Sequence, residues 1–257
     1  MSLYDPIARL YDAETRSYLD DLGFYLEMAR RTGGTILDAM CGSGRLLIPL
    51  AEQGYAVTGC DLSPAMLELA QARAVAAGVA PQVTLVAGDL CRVSLPEQQF
   101  SLAFVAINSF MHLERTRDQL AALATLHRAL QADGVLILDL LNPDPITIVQ
   151  DDNRLLVDKT FTLDGQQVLK LVASSSDPAS QISQMTYIYD VQGEQSQPHR
   201  FMIQFALRWV HRYELEHLLH RAGFALRAVY GSYDLDEYTS TSERLIALAV
   251  PQRSKGG

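Results

Sequence analysis

The strongest constraint on the fold is the regular alternation of short apolar runs with segments of helical periodicity in the first half of the chain. Such alternation is typical of βαβ units, which build a parallel sheet covered by helices on both faces. Ser63 followed by Pro64 predicts the capped start of the helix at 64–77. Pro49 lies inside the predicted helix at 45–53 and predicts that this helix is bent or is still in its first turns. The predicted strands are 35–39, 56–60, 82–87, 101–107 and 134–141, and the predicted helices are 45–53, 64–77 and 117–131.

The segments on either side of this region follow other patterns. Residues 15–31 have apolar side chains at helical spacing and are followed by Gly33 and Gly34, which predicts one N-terminal helix. After a proline-rich break at 142–145, apolar runs alternate with turn-forming clusters, which predicts an inserted antiparallel meander. The predicted meander strands are 155–163, 168–174, 182–191 and 201–210, and a helix at 213–221 and strands at 224–230 and 244–250 complete the chain.

The composition disfavours several classes of partner. With 257 residues, 48% of them hydrophobic, the chain can bury the core of one α/β domain. Its 21 basic and 30 acidic residues give a net charge of −9, which disfavours nucleic acid and anionic membranes as partners. The N-terminus lacks the pattern of a secretion signal, and the longest apolar runs are shorter than a bilayer span, so we expect a cytoplasmic protein. Cys41, Cys60 and Cys91 are widely spaced, which argues against disulfides and a metal site.

The sequence LDAMCGSGR at 37–45 joins the first predicted strand to the next helix. Gly42 and Gly44 allow the backbone to approach a ligand closely at the start of that helix, where amide groups are free. The third glycine of a dinucleotide fingerprint falls at Leu47, whose side chain obstructs the close packing of helix on strand. Asp38 would repel a phosphate. The loop therefore favours a ligand without phosphates and with cationic groups, such as S-adenosylmethionine.

Two further acids follow the next two predicted strands. Asp61 ends the second strand, where its carboxylate can accept hydrogen bonds from both hydroxyls of a ribose. Asp89 follows the third strand and precedes Leu90, so the acid can bind the amine of adenine while the leucine covers the ring. Because the carboxyl ends of parallel strands meet at one edge, Asp38, Asp61 and Asp89 are expected to line one crevice.

Together these segments resemble the class I S-adenosylmethionine-dependent methyltransferases, in their small-molecule type. The matching segments are LDAMCGSGR, GCDLSPAML, AGDL and LQADGVLILDL, and the end of the chain resembles the last helix and closing strands of that family. The resemblance implies an α/β fold: a Rossmann-like seven-stranded sheet, mostly parallel with an antiparallel last strand, helices on both faces, and the meander inserted after the fifth strand. It also implies S-adenosylmethionine as cofactor and S-adenosylhomocysteine as product.

The family also implies how the single domain is organised and which residues contact the cofactor. Residues 1–33 would form a helical lid, 34–141 the cofactor-binding core, 142–210 the inserted β segment and 211–257 the completion of the sheet. Met40 stands where the family usually has glycine. The implied cofactor contacts are Tyr11, Asp38, Cys41, Gly42, Gly44, Asp61, Leu62, Met66, Asp89, Leu90 and Asn108.

The segment INSFMHLERT after the fourth predicted strand lies where a methyl acceptor should meet the cofactor. Methyl transfer from a sulfonium is an in-line displacement that needs alignment and exclusion of water, and no metal. Asn108, Ser109 and His112 are candidates there, and His112 is the candidate base or acceptor-orienting residue. The alternative is that His112 only packs against the cofactor or the next helix. The segment lacks the D/N-P-P-F/Y tetrapeptide of relatives that methylate nucleobases or protein amides, which favours a small-molecule acceptor.

The N-terminal segment YDPIARLYD resembles the lid of small-molecule methyltransferases, and Tyr4 and Tyr11 would close over the cofactor. The alternative is that both tyrosines only pack the first helix onto the core. The meander is similar in placement to that of sugar-amine and glycine-type N-methyltransferases, where it walls the acceptor pocket or joins subunits into a homodimer. Its candidate pocket residues are Tyr187, Tyr189, Arg208, Trp209, Arg212 and Tyr213. The candidate acceptor pocket as a whole comprises Tyr4, Ser109, His112, Asn142, Tyr187, Arg208 and Tyr213.

These features predict a methyltransferase that acts on a small-molecule acceptor, with N-methylation slightly favoured over O-methylation. Three alternatives remain open. The first is a nucleotide-dependent oxidoreductase, against which Leu47 and Asp38 count. The second is a catalytically silent protein that binds S-adenosylmethionine or S-adenosylhomocysteine, and the third is different sulfonium chemistry on a modified cofactor.

Overall fold

A computed structural model describes residues 2–144, 148, 152–193 and 199–252, and two sheets organise them. The larger sheet has the spatial order β10-β11-β5-β4-β1-β2-β3, with strands numbered along the chain. Strands β1 to β5 run parallel, and β11 runs antiparallel to both of its neighbours, which confirms the predicted sheet. These strands are β1 (Ile36–Ala39), β2 (Val57–Asp61), β3 (Val83–Ala87), β4 (Phe100–Val105), β5 (Leu130–Leu141), β10 (Phe224–Tyr230) and β11 (Arg244–Pro251).

Helices cover the larger sheet, and most begin close to their predicted positions. Ser63 caps the helix after β2, since its hydroxyl accepts a hydrogen bond from the amide of Met66 at 3.2 Å. Pro49 is the third residue of the helix after β1, so it marks the first turn and does not bend the helix. The helices are α1 (Ala8–Thr15), α2 (Leu22–Thr32), α3 (Leu47–Glu52), α4 (Pro64–Ala76), α5 (Thr116–Ala129) and α6 (Arg212–Arg221).

The smaller sheet is the predicted meander, and its four strands pair antiparallel in chain order. A cluster of apolar side chains joins this sheet to α1 and includes Ile7, Leu10, Val168 and Phe205. The meander is therefore packed onto the N-terminal segment and lies close to the end of the larger sheet where β1, β2 and β4 terminate. Its strands are β6 (Leu155–Leu163), β7 (Gln166–Asp177), β8 (Ile182–Gln192) and β9 (His199–Arg208).

The prediction of one N-terminal helix over 15–31 is wrong, because the chain breaks between α1 and α2. The break turns Asp21 inward, where its carboxylate is fully buried and accepts two hydrogen bonds of 2.6 Å from the guanidinium of Arg45. The same guanidinium lies 5.2 Å from the ring of Tyr18. A bidentate bond of this kind is strong and geometrically demanding, and it outweighs the local helical preference of the segment. In the described part of the chain, no helix is both long and apolar enough to cross a bilayer.

Candidate functional site

Two adjoining cavities lie at the carboxyl ends of the parallel strands, the edge where ligands of such folds bind. The large cavity has a volume of about 540 Å³ and the small cavity about 230 Å³. Five residues line both cavities and form what we call the junction: Tyr11, Met40, Gly42, Ile107 and Ser109. The large cavity is within the size range of ligand pockets, and together the cavities offer an elongated site with two chemically different ends.

The glycine loop adopts left-handed backbone at three positions. Met40 has φ +63°, Gly42 +55° and Gly44 +78°. The conformation of Met40 explains why glycine is usual there, since a left-handed residue with a side chain is strained. A methyl group on Gly42 would meet nothing within 4 Å, whereas one on Gly44 would lie 3.3 Å from the Cβ of Ala70 in α4. Gly42 therefore leaves free space for a ligand beside the loop. Gly44 lines neither cavity and instead permits the close packing of α4.

Asp61 ends β2 and faces the large cavity. One carboxylate oxygen accepts the amide of Gly42 at 2.8 Å, and the other accepts the amide of Ser63 at 2.8 Å. Burial raises the pKa of Asp61, and the two backbone bonds oppose that rise. Each oxygen keeps acceptor capacity for a ligand, because a carboxylate oxygen has two lone pairs. The same contacts fix the orientation of the carboxylate before any ligand arrives.

Asp89 follows β3 and lines the other part of the large cavity, together with Leu90. Its carboxylate accepts the amide of Cys91 at 2.9 Å and lies 3.9 Å from the guanidinium of Arg92. Leu90 is buried, whereas Leu62, on the loop after β2, is 59% exposed at the rim. A planar heterocycle with an exocyclic amine fits this combination of an acceptor and apolar surfaces. The predicted contacts Met66 and Cys41 also line the cavities, Met66 the large one and Cys41 the small one.

The walls of the small cavity carry both acidic and basic side chains. Asp38 is 3% exposed, and its burial raises the pKa of its carboxyl to about 8, with Asp61 and Asp21 adding to the rise and Arg45 opposing it. Arg45 and Lys159 contribute positive charge to the same walls. A ligand that carries both an ammonium and a carboxylate is complementary to this cavity.

Tyr4 and His112 form a hydrogen-bonded pair in the wall of the large cavity. The hydroxyl of Tyr4 lies 3.1 Å from Nε2 of His112, and the two rings meet edge to face with centroids 5.6 Å apart. Burial lowers the pKa of His112 to about 4, so the ring is neutral at pH 7. Its Nε2 can therefore accept a hydrogen bond from the Tyr4 hydroxyl. His112 ends a short turn, Ser109–His112, that begins at Ser109 in the junction.

Polar contacts tie the N-terminal segment over the cavities. The buried carboxylate of Asp12 in α1 accepts the hydroxyl of Ser43 at 2.8 Å and the guanidinium of Arg73 at 3.1 Å. Asp5 accepts the hydroxyl of Ser63 at 2.5 Å. The segment is thus attached to the loops after β1 and β2, and it places Tyr4 and Tyr11 against the site. Both tyrosines line the large cavity and also pack against the apolar cluster that joins α1 to the smaller sheet, so the lid role stays a prediction.

Six of the predicted site residues line neither cavity: Gly44, described above, and Asn108, Asn142, Tyr187, Arg208 and Tyr213. The side-chain oxygen of Asn108 accepts the amide of Leu141 at 2.6 Å, which draws it toward β5. Asn142 accepts the hydroxyl of Tyr238 at 2.6 Å and donates to the carbonyl of Ser242 at 2.8 Å. Both asparagines fix the backbone around the end of β5.

The predicted meander residues also point elsewhere. The guanidinium of Arg208 bonds Glu214 at 2.9 Å. The ring of Tyr187 covers the buried ammonium of Lys170 at 4.0 Å. Tyr213 is 67% exposed. The indole of Trp209 donates to Ser183 at 2.9 Å. Tyr189 and Arg212, the remaining predicted meander residues, do not line either cavity.

Sequence reasoning missed several residues that line the site. Arg45 directly follows the glycine loop, which is a usable signal for a ligand contact. Glu14 lines the small cavity and pairs with Lys170 at 2.8 Å, and Lys159 reaches the same cavity from β6. Nothing in the local sequence marks these two, because their place depends on how the meander packs. Within the described ranges, no group of three or more His, Cys, Asp or Glu side chains is arranged to hold a metal ion.

Comparison with known proteins shows similarity to methyltransferases. A family model described as a methyltransferase domain matches residues 36–134. The putative methyltransferase YqeM of Bacillus subtilis is 27% identical over 263 residues, and 98% of each chain is covered. An S-adenosylmethionine-dependent methyltransferase from Clostridium acetobutylicum has the same fold, with TM-score 0.81, 19% identity and 98% and 100% coverage of this chain and that one. The sugar N-methyltransferase KedS8 from Streptoalloteichus has TM-score 0.76, 19% identity and 95% and 92% coverage. Residues 36–134 therefore match a methyltransferase domain, and the described fold is that of S-adenosylmethionine-dependent methyltransferases.

Proposed function

We propose that the protein transfers the methyl group of S-adenosylmethionine to a small-molecule acceptor, and that the acceptor atom is an amine nitrogen rather than a hydroxyl oxygen. The observation that carries this proposal is the division of the site into two cavities that meet at a narrow set of shared residues. The large cavity has acceptors for an adenosine, and the small cavity has acidic and basic side chains for a methionine end. The sulfur of the cofactor then lies at the junction.

Each part of the cofactor has a chemically matched partner. Asp61 accepts the ribose hydroxyls, and Asp89 accepts the exocyclic amine of adenine. Asp38 pairs with the methionine ammonium, while Arg45 and Lys159 lie where the methionine carboxylate can be neutralised. The remaining contact surface comes from Leu62, Leu90, Met66, Cys41, Gly42 and Tyr11. Gly44 and Asn108 lie outside both cavities and support the loops that line them.

The acceptor approaches the junction from the side of Tyr4, Ser109 and His112. As the acceptor lone pair forms a bond to the methyl carbon, the carbon–sulfur bond breaks and its electron pair remains on sulfur, giving S-adenosylhomocysteine. The hydroxyl oxygens of Tyr4 and Ser109 can accept hydrogen bonds from the acceptor and aim its lone pair, and His112, whose Nε2 accepts the Tyr4 hydroxyl, fixes the orientation of that hydroxyl. These contacts, together with the lid that excludes water, supply alignment rather than covalent chemistry.

The low pKa of His112 supports an amine acceptor. A neutral amine attacks with its lone pair and loses its proton only after the methyl group has moved. A hydroxyl needs a base that takes its proton during attack, and a group with a pKa of about 4 is a weak base for that step. His112 is therefore better suited to orient an amine than to activate an alcohol. The similarity of fold to a sugar N-methyltransferase supports the same preference.

The test is a transfer assay with S-adenosylmethionine labelled in its methyl group. Small amines, including amino sugars, are compared with analogues in which a hydroxyl replaces the amine. We expect labelled product, heavier by one methylene unit in mass spectra, from amines only. Product from the hydroxyl analogues instead would overturn the amine assignment. S-Adenosylhomocysteine binding without transfer to any acceptor would favour the catalytically silent protein, and binding of NAD in its place would favour an oxidoreductase.

A further inference from the structure

The backbone of the junction is unusually strained. Besides Met40 and Gly42, the junction residue Ile107 is left-handed, with φ +39°, and it is followed by Asn108 at φ +61°. A β-branched residue in this region is a genuine outlier, because its side chain crowds the backbone. Asn108 adopts this region readily, but Ile107 persists in it only where surrounding structure holds it, and strain of this kind concentrates at functional sites.

Strand β5 holds both residues in this conformation. The amide of Ile107 donates to the carboxylate of Asp139 at 3.1 Å, and the amide of Asn108 donates to the carbonyl of Asp139 at 3.0 Å. The side-chain oxygen of Asn108 accepts the amide of Leu141 at 2.6 Å. Three hydrogen bonds from one strand therefore determine the path of the segment that carries Ser109 into the junction.

Asp139 is held in turn by Arg244, which lies on the neighbouring strand β11. The guanidinium donates to one oxygen of Asp139 through Nε at 2.9 Å and through a terminal nitrogen at 2.5 Å. The same terminal nitrogen donates to the side-chain oxygen of Asn108 at 3.2 Å. Asp139 is fully buried, and its other oxygen also accepts the hydroxyls of Tyr25 at 3.3 Å and Tyr233 at 3.0 Å. One guanidinium thus connects the strained segment to two strands of the sheet.

We infer that Arg244 and Asp139 are positioning residues for methyl transfer, which set the backbone of Ile107 and Asn108 so that the junction wall aligns the acceptor with the methyl group. The inference rests on the proposed function, because it assigns the junction as the point of transfer. Neither residue touches the cavities. The planar fork of arginine reaches Asp139 and Asn108 at once, and a lysine presents a single ammonium that cannot reproduce that geometry.

The main test is Arg244→Lys, which keeps the charge that neutralises Asp139. The matched control is Arg200→Lys, since Arg200 makes a similar two-bond pair with Asp190, at 2.6 and 2.7 Å, on the meander. Turnover is measured per site that binds S-adenosylhomocysteine, which removes any contribution from unfolded protein. We expect Arg244→Lys to lower kcat per site by about tenfold or more and to change S-adenosylhomocysteine affinity by less than about threefold. Arg200→Lys should change neither quantity.

A second measurement does not depend on activity. Amide hydrogen exchange is compared between wild type and Arg244→Lys for the peptide that contains Ile107 and Asn108, with Asn108→Gly as a further variant that permits the same backbone but lacks the side-chain oxygen. We expect faster exchange in this peptide in both variants, while exchange in β2 and β3 is unchanged. Unchanged kcat per site or unchanged exchange in Arg244→Lys would overturn the inference. Absence of methyl transfer in the wild type would refute the proposed function separately, and the exchange result would still support or overturn the positioning of the segment.

Discussion

The hydroxyl of Tyr4 and Nε2 of His112 are 3.1 Å apart, and this contact joins the first residues of the chain to the turn after β4. Both side chains line the large cavity, and the ring of Tyr4 also meets that of Tyr11 with centroids 5.0 Å apart. The N-terminal segment thus completes the group of side chains that faces the acceptor in the proposed function. Because neutral His112 accepts a hydrogen bond from the Tyr4 hydroxyl, the lone pairs of the Tyr4 oxygen remain available to an acceptor N–H.

The first prediction concerns this pair. His112→Ala should lower kcat by about 10²-fold and leave the Kd of S-adenosylhomocysteine unchanged, because the ring fixes the Tyr4 hydroxyl that aims the acceptor and makes no proposed contact with the cofactor. Tyr4→Phe should lower kcat by about tenfold for the same reason. Both are measured by steady-state kinetics with a transferred methyl label and by calorimetric titration of S-adenosylhomocysteine.

The control for this prediction is His217→Ala, since His217 is exposed on α6 and should have wild-type kinetics. The pH dependence of kcat/KM adds a further check. With the pKa of His112 at about 4, protonation of the ring should remove activity only as the pH falls toward that value. Loss of activity centred near pH 6.5 that disappears in the alanine variant would show that the ring titrates normally.

The second prediction concerns Asp61. Asp61→Ala should weaken S-adenosylhomocysteine binding by about 1.5 to 3 kcal/mol, the range for hydrogen bonds to a charged group. Part of that loss comes from releasing the amides of Gly42 and Ser63, which the carboxylate holds at 2.8 Å. Titration with S-adenosylhomocysteine and with its 2′-deoxy analogue separates the two causes. The penalty of the substitution should be smaller for the analogue, and equal penalties would place the ribose elsewhere.

The third prediction is proton release on cofactor binding. In the free protein, burial raises the pKa of Asp38 to about 8, so the carboxyl is mostly protonated at pH 7. The ammonium of S-adenosylhomocysteine favours the carboxylate and lowers that pKa, so binding releases up to about one proton per site. Affinity should therefore increase as the pH rises from 6 toward 8.

Calorimetry in buffers of different ionisation enthalpy measures this release directly. The binding heat of the wild type should differ between phosphate and Tris at pH 7, because the released proton protonates the buffer and the two buffers have different ionisation enthalpies. Asp38→Asn has no carboxyl to titrate and should bind with the same heat in both buffers. Identical heats in the wild type would mean that Asp38 is already ionised or remains neutral in the complex.

Site residues whose position depends on the local sequence could be predicted, and those whose position depends on packing between distant segments could not. Asp38, Asp61 and Asp89 face the cavities as expected, because strand ends in a parallel sheet share one edge and each acid lies at or next to such an end. The same reasoning could not tell which meander residues face the site, because side chains alternate between the two faces of a strand. Arg208, for example, donates a hydrogen bond to Glu214 and does not line a cavity. Lys159 reaches the small cavity only through the packing of β6 against α1, which no local pattern encodes.

The last prediction concerns Met40, the departure from the family's usual glycine. Its φ of +63° strains any residue with a Cβ by about 1 to 2 kcal/mol. Its side chain packs against the apolar core that β1, β4 and β5 share with α5, and it lines the junction. Met40→Ala and Met40→Gly both lose that packing, but only glycine relieves the backbone. We therefore expect Met40→Gly to be more stable than Met40→Ala by about 1 kcal/mol in urea unfolding. At Glu68, exposed in helix α4, the same comparison should have the opposite sign, because glycine costs about 1 kcal/mol relative to alanine within a helix. If glycine were the less stable replacement at both positions, the strain at Met40 would be refuted.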